Sequence, residues 1–157
     1  MTVSLIAAIL IIGFSAGLRT FTAPAVVAWA VHVDHLDVSA SPLSFMSSHT
    51  AVLILSLGAL VEYVVDVLPF TPPRTKAPGL IARFVTGSFA AACLLAASGQ
   101  SLAFCILGGL AAIGGAFVGY EARTRAVRSL NIKDVFVAVP EDIIAIGLSI
   151  VAVCLVP

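Results

Sequence analysis

The chain has 157 residues and a formal net charge of zero, with 61% hydrophobic and 10% charged residues and a mean hydropathy of +1.16. A soluble domain carries about 25% charged residues, so this composition excludes one, because too few charges are present to cover an aqueous surface. The eight Lys and Arg residues form no basic footprint, which also argues against nucleic acid as a partner.

Five apolar segments, roughly 3–31, 49–69, 79–98, 102–127 and 140–156, are long enough to cross about 30 Å of hydrocarbon as helices. Backbone groups in lipid must be satisfied within the segment, which leaves helices as the form such runs take. The expectation is a single all-α polytopic membrane domain over residues 1–157, with about five transmembrane helices and membrane lipids around it. The opening MTVSLIAAILIIGF has no basic region ahead of its apolar run and reads as a retained first helix.

The first segment is too long for one straight span, at about 42 Å from Val3 to Val31. Gly13, Ser15, Gly17 and Pro24 lie inside it, and a bent or discontinuous helix with its irregular part around Ser15 to Pro24 is expected. A tilted straight helix is the alternative. Counting inward from Val31 puts Arg19 about 18 Å deep, and counting inward from His49 puts Glu62 about 20 Å deep. The matched depths suggest that Arg19 faces Glu62 or Asp66, because an unpaired arginine there is costly. A purely structural salt bridge is the competing account.

The second segment carries Glu62 and Asp66 four residues apart, then turns through LPFTPPRTK, with Arg74 and Lys76 in the turn and Arg83 beyond it. The third and fourth segments are rich in Gly, Ala and Ser, which let backbones approach closely. GxxxG occurs at Gly13/Gly17 and Gly115/Gly119. The fourth runs into Glu121, Arg123, Arg125 and Arg128. Pro140 is expected to start the last helix, with Glu141 and Asp142 in its first turn, where acids also suit the helix dipole.

Arg74, Lys76 and Arg83 flank the second connection, and Arg123, Arg125, Arg128 and Lys133 flank the fourth, whereas the first and third connections have no Lys or Arg. With five crossings, the positive-inside rule puts the N-terminus in the cytoplasm and the C-terminus outside. Both termini on one side would mean a miscounted span. Gly13 to Thr20 also resembles Gly115 to Thr124, and each stretch is followed one span later by paired acids. Three spans apart, such a repeat would be inverted, as in many secondary transporters.

The candidate substrate- or ion-binding set is therefore Arg19, Glu62, Asp66, Arg74, Arg83, Glu121, Arg123, Glu141 and Asp142. Ionisable residues inside spans point to function. A carboxylate there would exchange protons while Arg19 served as counter-ion or bound an anionic group. No G-x-S-x-G, H-E-x-x-H, P-loop or C-x-x-C is present, so neither an enzyme nor a cofactor is expected. Cys93, Cys105 and Cys154 read as packing residues. His32, His35 and His49 near Asp34 and Asp37 read as a solvated loop more than a metal site.

GLRTFTAPAVVAWA at 17–30, EYVVDVLPFTPPRTKAPGLIARFVTG at 62–87, and GYEARTR with EDIIAIG later resemble an uncharacterised family of small bacterial integral membrane proteins, catalogued as a domain of unknown function. The resemblance implies a bacterial inner-membrane protein and brings no substrate. The leading functional expectation is a small transporter or permeation unit for a small ion or solute, acting as a homo-oligomer because one copy encloses little volume. A lipid-handling protein that holds anionic head groups at the inner leaflet, or a non-catalytic scaffold, are the alternatives.

Overall fold

The computed structural model describes residues 1–66, 75–130 and 134–156. Among these residues the fold is all-α. Its helices are α1 (Val3–Leu18), α2 (Thr22–His32), α3 (His49–Val65), α4 (Ala77–Ala97), α5 (Ile106–Leu130) and α6 (Val135–Cys154), with short 3₁₀ turns at Ser44–Ser47 and Leu102–Cys105. α4, α6 and the stretch Leu102–Ser129 are long and apolar enough to cross a membrane, and α1, α2 and α3 are shorter apolar helices.

Local chemistry accounts for the ends. The Thr2 side chain accepts from the Leu5 N–H at the start of α1, and Ser48 accepts from Ala51 at the start of α3. Pro78 occupies the first turn of α4, where no donor is lost. Gly99, at φ +62°, turns the chain after α4. The last helix departs from expectation: it starts at Val135, with Pro140 inside it. Glu141 and Asp142 are thus not first-turn caps. Pro140, the sixth residue of the helix, lies beyond the first turn and removes one backbone bond there.

The break in the first apolar segment is real and sharper than a bend. α1 ends at Leu18, Arg19 is extended (φ −139°, ψ 117°), and α2 starts at Thr22. Contacts along the helices then give their directions. α2 runs against α3, since Thr22 meets Tyr63, Trp29 meets Ser56, and the His32 ring meets His49. α3 runs against α4, since Glu62 lies by Arg83 while Phe45, just before α3, stacks on Phe89. α4 runs against α5, since Gly87 packs at Ala112 and Ala91 at Gly108. α1 runs with α5, since Gly13 packs at Gly108 and Gly17 at Ala112 and Gly115. It runs against α6, since Ser15 meets Ala145 and Ser149 while Arg19 meets Asp142.

α1 and α2 are therefore antiparallel, and the chain reverses at Arg19-Thr20-Phe21. Two expectations change. The segment 3–31 is a helical hairpin, not one crossing, so the helix directions put the first and last described residues at the same end of the bundle. The sequence count had assumed one direction per apolar run, which hydropathy alone cannot test. And because α1 and α5 are parallel, the likeness of Gly13–Thr20 to Gly115–Thr124 does not relate inverted halves.

One end of the bundle collects the α1–α2 turn and the connections that follow α3 and α5. Arg19, Lys76, Arg83, Arg123, Arg125 and Arg128 lie in or beside these, and Arg74 and Lys133 fall in the same two connections by sequence. Among the described residues, every Lys and Arg is therefore at or near this end. The other end carries His32, Asp34, His35, Asp37 and His49.

α1 is the central helix. Its glycines let α5 come into backbone contact: a Cβ at Gly13 would overlap the Gly108 carbonyl, and one at Gly17 the Ala112 carbonyl. The core cluster spreads from there through Leu5, Ile9 and Ile12 to Leu94, Leu95 and Met46. Outward, α3 presents Leu53, Ile54, Leu57, Leu60 and Val61, each more than half exposed, as suits an apolar solvent. Gly17→Leu is expected to abolish the α1–α5 contact, at 1–3 kcal/mol or more. Gly147→Ala, with open space around it, should leave stability unchanged or raised. Unfolding midpoints of the two variants in detergent check both.

Candidate functional site

The turn at Arg19 is recessed. Arg83 lies six residues inside α4 and Glu141 six inside α6, about 9 Å from those helix ends, while Arg123 is about 10 Å from the end of α5. A charged layer thus crosses the bundle below its surface, and the hairpin tip lies in it.

The two helix ends exposed by the break need partners, because four N–H and four C=O groups lose theirs at each terminus. Phe21, which precedes α2, offers no side-chain cap. The Glu62 carboxylate does this from α3: Oε1 accepts from the Thr20 N–H at 2.7 Å and Oε2 from the Phe21 N–H at 2.8 Å. A carboxylate also suits the positive end of the α2 dipole. At the end of α1, Arg83 Nε donates to the Gly17 carbonyl at 3.1 Å, and Nη1 to the Gly79 carbonyl at 3.2 Å. Arg83 Nη2 lies 3.9 Å from Glu62 Oε1. Each broken end thus receives a charge of the sign its dipole favours.

Arg19 is fully buried, with 0% exposure. Nη1 lies 2.6 Å from Asp66 Oδ2, Nε 2.5 Å from Asp142 Oδ1, and Nη2 3.9 Å from Glu141 Oε2. The guanidinium also faces the Tyr63 ring at 5.7 Å. Its contacts with Asp66 and Asp142 are thus close, charge-paired ones. Arg123, from α5, reaches the same acids: it pairs with Asp66 Oδ2, lies 3.4 Å from Glu141 Oε2, and donates to the Asp66 carbonyl at 3.3 Å. Its other side binds Asp134, with Nε donating to Oδ1 at 2.8 Å. Asp66 is therefore shared by two arginines, one in the α1–α2 turn and one on α5. One turn deeper, the Ser15 hydroxyl lies 2.7 Å from that of Ser149.

Seven of the nine candidates come together here: Arg19, Glu62, Asp66, Arg83, Arg123, Glu141 and Asp142. Arg19 meets Asp66 as expected, while Glu62 serves the backbone instead. Glu121 is not part of the layer. It meets Arg125 at 2.7 Å one helical turn away, with both side chains more than half exposed. Arg74 lies outside the described residues. Asp134 and the Ser15–Ser149 pair were not foreseen as site residues. Asp134 sits in a polar link that reads as surface, and a serine pair in separate helices has no spacing signal. Among the described residues no three His, Cys, Asp or Glu side chains converge to hold a metal.

A cavity of about 600 Å³ lies between α3 and α4 and reaches the layer at Glu62, Asp66 and Arg83. A second, of about 290 Å³, lies among α1, α5 and α6 with Arg123 and Glu141 in its wall. Asp66→Asn is expected to cost about 3–5 kcal/mol, since it uncouples two buried guanidinium groups. Glu62→Gln, which can accept at only one of its two positions, should cost about 1–3 kcal/mol. Glu121→Gln should change nothing measurable. Unfolding titrations of the three variants test this order.

The family described as Domain of unknown function (DUF4126) matches residues 6–156. No match is found among curated proteins or among solved structures.

Proposed function

The chain belongs to the Domain of unknown function (DUF4126) family, and from its charged layer we propose that it is a small membrane transport or permeation unit for a small ion or solute. The observation that carries this reading is the sealed Arg19, held between Asp66 and Asp142 at the recessed tip of a broken helix. Discontinuous helices at membrane depth are where secondary transporters build their sites, because the interrupted backbone brings polar groups to the midplane side of the bundle. Ionisable groups kept in such places are costly and mark pathways.

In this reading Asp66 and Asp142 are the groups that exchange a proton. Protonating either weakens its hold on Arg19, which then takes up an anionic group or shifts its partner, and Arg123 keeps Asp66 tied to α5 meanwhile. Glu62 and Arg83 hold the turn in place throughout. The chemistry is binding and release, with no bond made or broken in the solute. The protein sits in a bacterial inner membrane, and two or more copies assemble, since a single copy encloses little volume.

The distribution of Lys and Arg supports an orientation with the charged end in the cytoplasm. Both termini then face outward. A phosphatase fused after Val156 should be active and a fluorescent protein at the same place dark; the reverse would put the charged end outside.

The transport reading is tested in vesicles that hold a pH-sensitive dye, under an imposed pH gradient with and without a potassium diffusion potential. Protein-dependent flux is expected, lost in Arg19→Ala and Asp66→Asn and kept in Glu121→Gln. Folding of each variant is checked by its elution profile. Flux from the unaltered protein no greater than from empty vesicles, under every gradient, sinks the reading.

A further inference from the structure

The cavity between α3 and α4 has a composition that the transport reading does not use. α3 packs on α2 and on the short turn before it, and barely touches α4. The 600 Å³ between them is walled by Leu57, Val61 and Val65 from α3 and by Pro78 and Ala82 from α4. The outward parts of these walls are open: Leu57 is 51% and Val61 60% exposed. The gap is therefore a lateral groove on the apolar flank of the bundle, not a channel along its axis.

Its polarity is graded. The far end is apolar. At the charged end the lining includes Glu62, Asp66, Arg83 and Lys76. Glu62 spends both oxygens on the Thr20 and Phe21 N–H groups, Asp66 pairs with Arg19 and Arg123, and Arg83 binds the Gly17 and Gly79 carbonyls. Lys76 differs from these. It is exposed at the mouth of the groove, immediately before α4. It lies seven residues, about 10 Å, further toward the bundle end than Arg83.

We propose that this groove binds one anionic phospholipid, with its phosphate at Lys76 and an acyl chain along Leu57, Val61 and Ala82. The site is independent of the transport reading. Charge complementarity decides the occupant. A helix of a second copy would set apolar side chains against an exposed ammonium, which lowers the gain from burying them. A zwitterionic lipid brings its own cation to Lys76. A free phosphate leaves the apolar walls unused. An anionic lipid matches both ends at once, and a lysine at headgroup level attracts it by about 1 kcal/mol.

The test uses the full-length protein in neutral detergent. Melting curves are recorded with added phosphatidylglycerol, phosphatidylcholine or inorganic phosphate, and retained lipid is counted by native mass spectrometry. Phosphatidylglycerol alone should raise the midpoint and remain as one bound copy. Lys76→Glu should weaken that binding at least about fivefold. Ala82→Trp, which fills the groove from the α4 side, should remove it. Lipid-free midpoints near that of the unaltered protein show that each variant folds, and Lys76→Ala replaces Lys76→Glu if the latter does not. Equal shifts from both lipids, a shift reproduced by inorganic phosphate, unchanged binding in the folded variants, or Val61→Cys crosslinks between copies at full occupancy would each overturn the proposal.

Discussion

Arg19 is held without exposed surface between carboxylates from α3 and α6, and much of the arrangement follows from that burial. A guanidinium taken from water costs several kcal/mol, repaid only if its charge is met from close by. Meeting it needs acids from two other helices at one level. That fixes the register of α1 against α3 and α6, and through Asp66 and Arg123 it fixes α5 as well. The charged layer behaves less as a set of separate salt bridges than as one cross-brace, in which Asp66 is the shared point.

The brace works only because the backbone around it is also satisfied. A chain reversal inside a bundle leaves helix termini without partners, and in apolar surroundings those are as expensive as the charge itself. Glu62 and Arg83 answer this with side chains of opposite sign, one for each broken end. The glycine contacts of α1 with α5 then bring Arg19 and Arg123 close enough for one short acid, Asp66, to pair with both. Small residues above the layer and charges within it are two halves of one solution.

The same geometry separates two kinds of surface. Inside, Arg19 is held by close ionic contacts with Asp66 and Asp142. Outside, α3 leans on α2 and leaves its other flank to α4 across a groove, which grades from apolar to charged, with Lys76 exposed at its mouth. The solute site proposed in the layer and the lipid groove proposed beside it both border Asp66 but rest on different physics, ion pairing in one and apolar burial with an exposed lysine in the other. Neither requires the other.

Much of this was legible in the chain itself. Composition determined the membrane class, because 10% charge cannot cover an aqueous surface. Apolar runs located α3, α4 and α5 to within a few residues, but they ran α1 and α2 together and missed the early start of α6, where Pro140 reads as a beginning but sits inside the helix. Gly13 to Pro24 marked the break, since over-length and helix breakers are local signals. The depth match of Arg19 with Glu62 found the right level, because α2 and α3 both count inward from the same end, although it is Asp66, one turn on, that meets Arg19. What only the tertiary structure decided is direction and partnership. Hydropathy has no sign along the chain, so a hairpin and a bent span look alike, and the reversal at Thr20 put the first and last described residues at one end. Which acid meets which base depends on helix rotation and on unpaired backbone: that sent Glu62 to the Thr20 and Phe21 amides, brought Asp134 to Arg123, and left Glu121 on the surface.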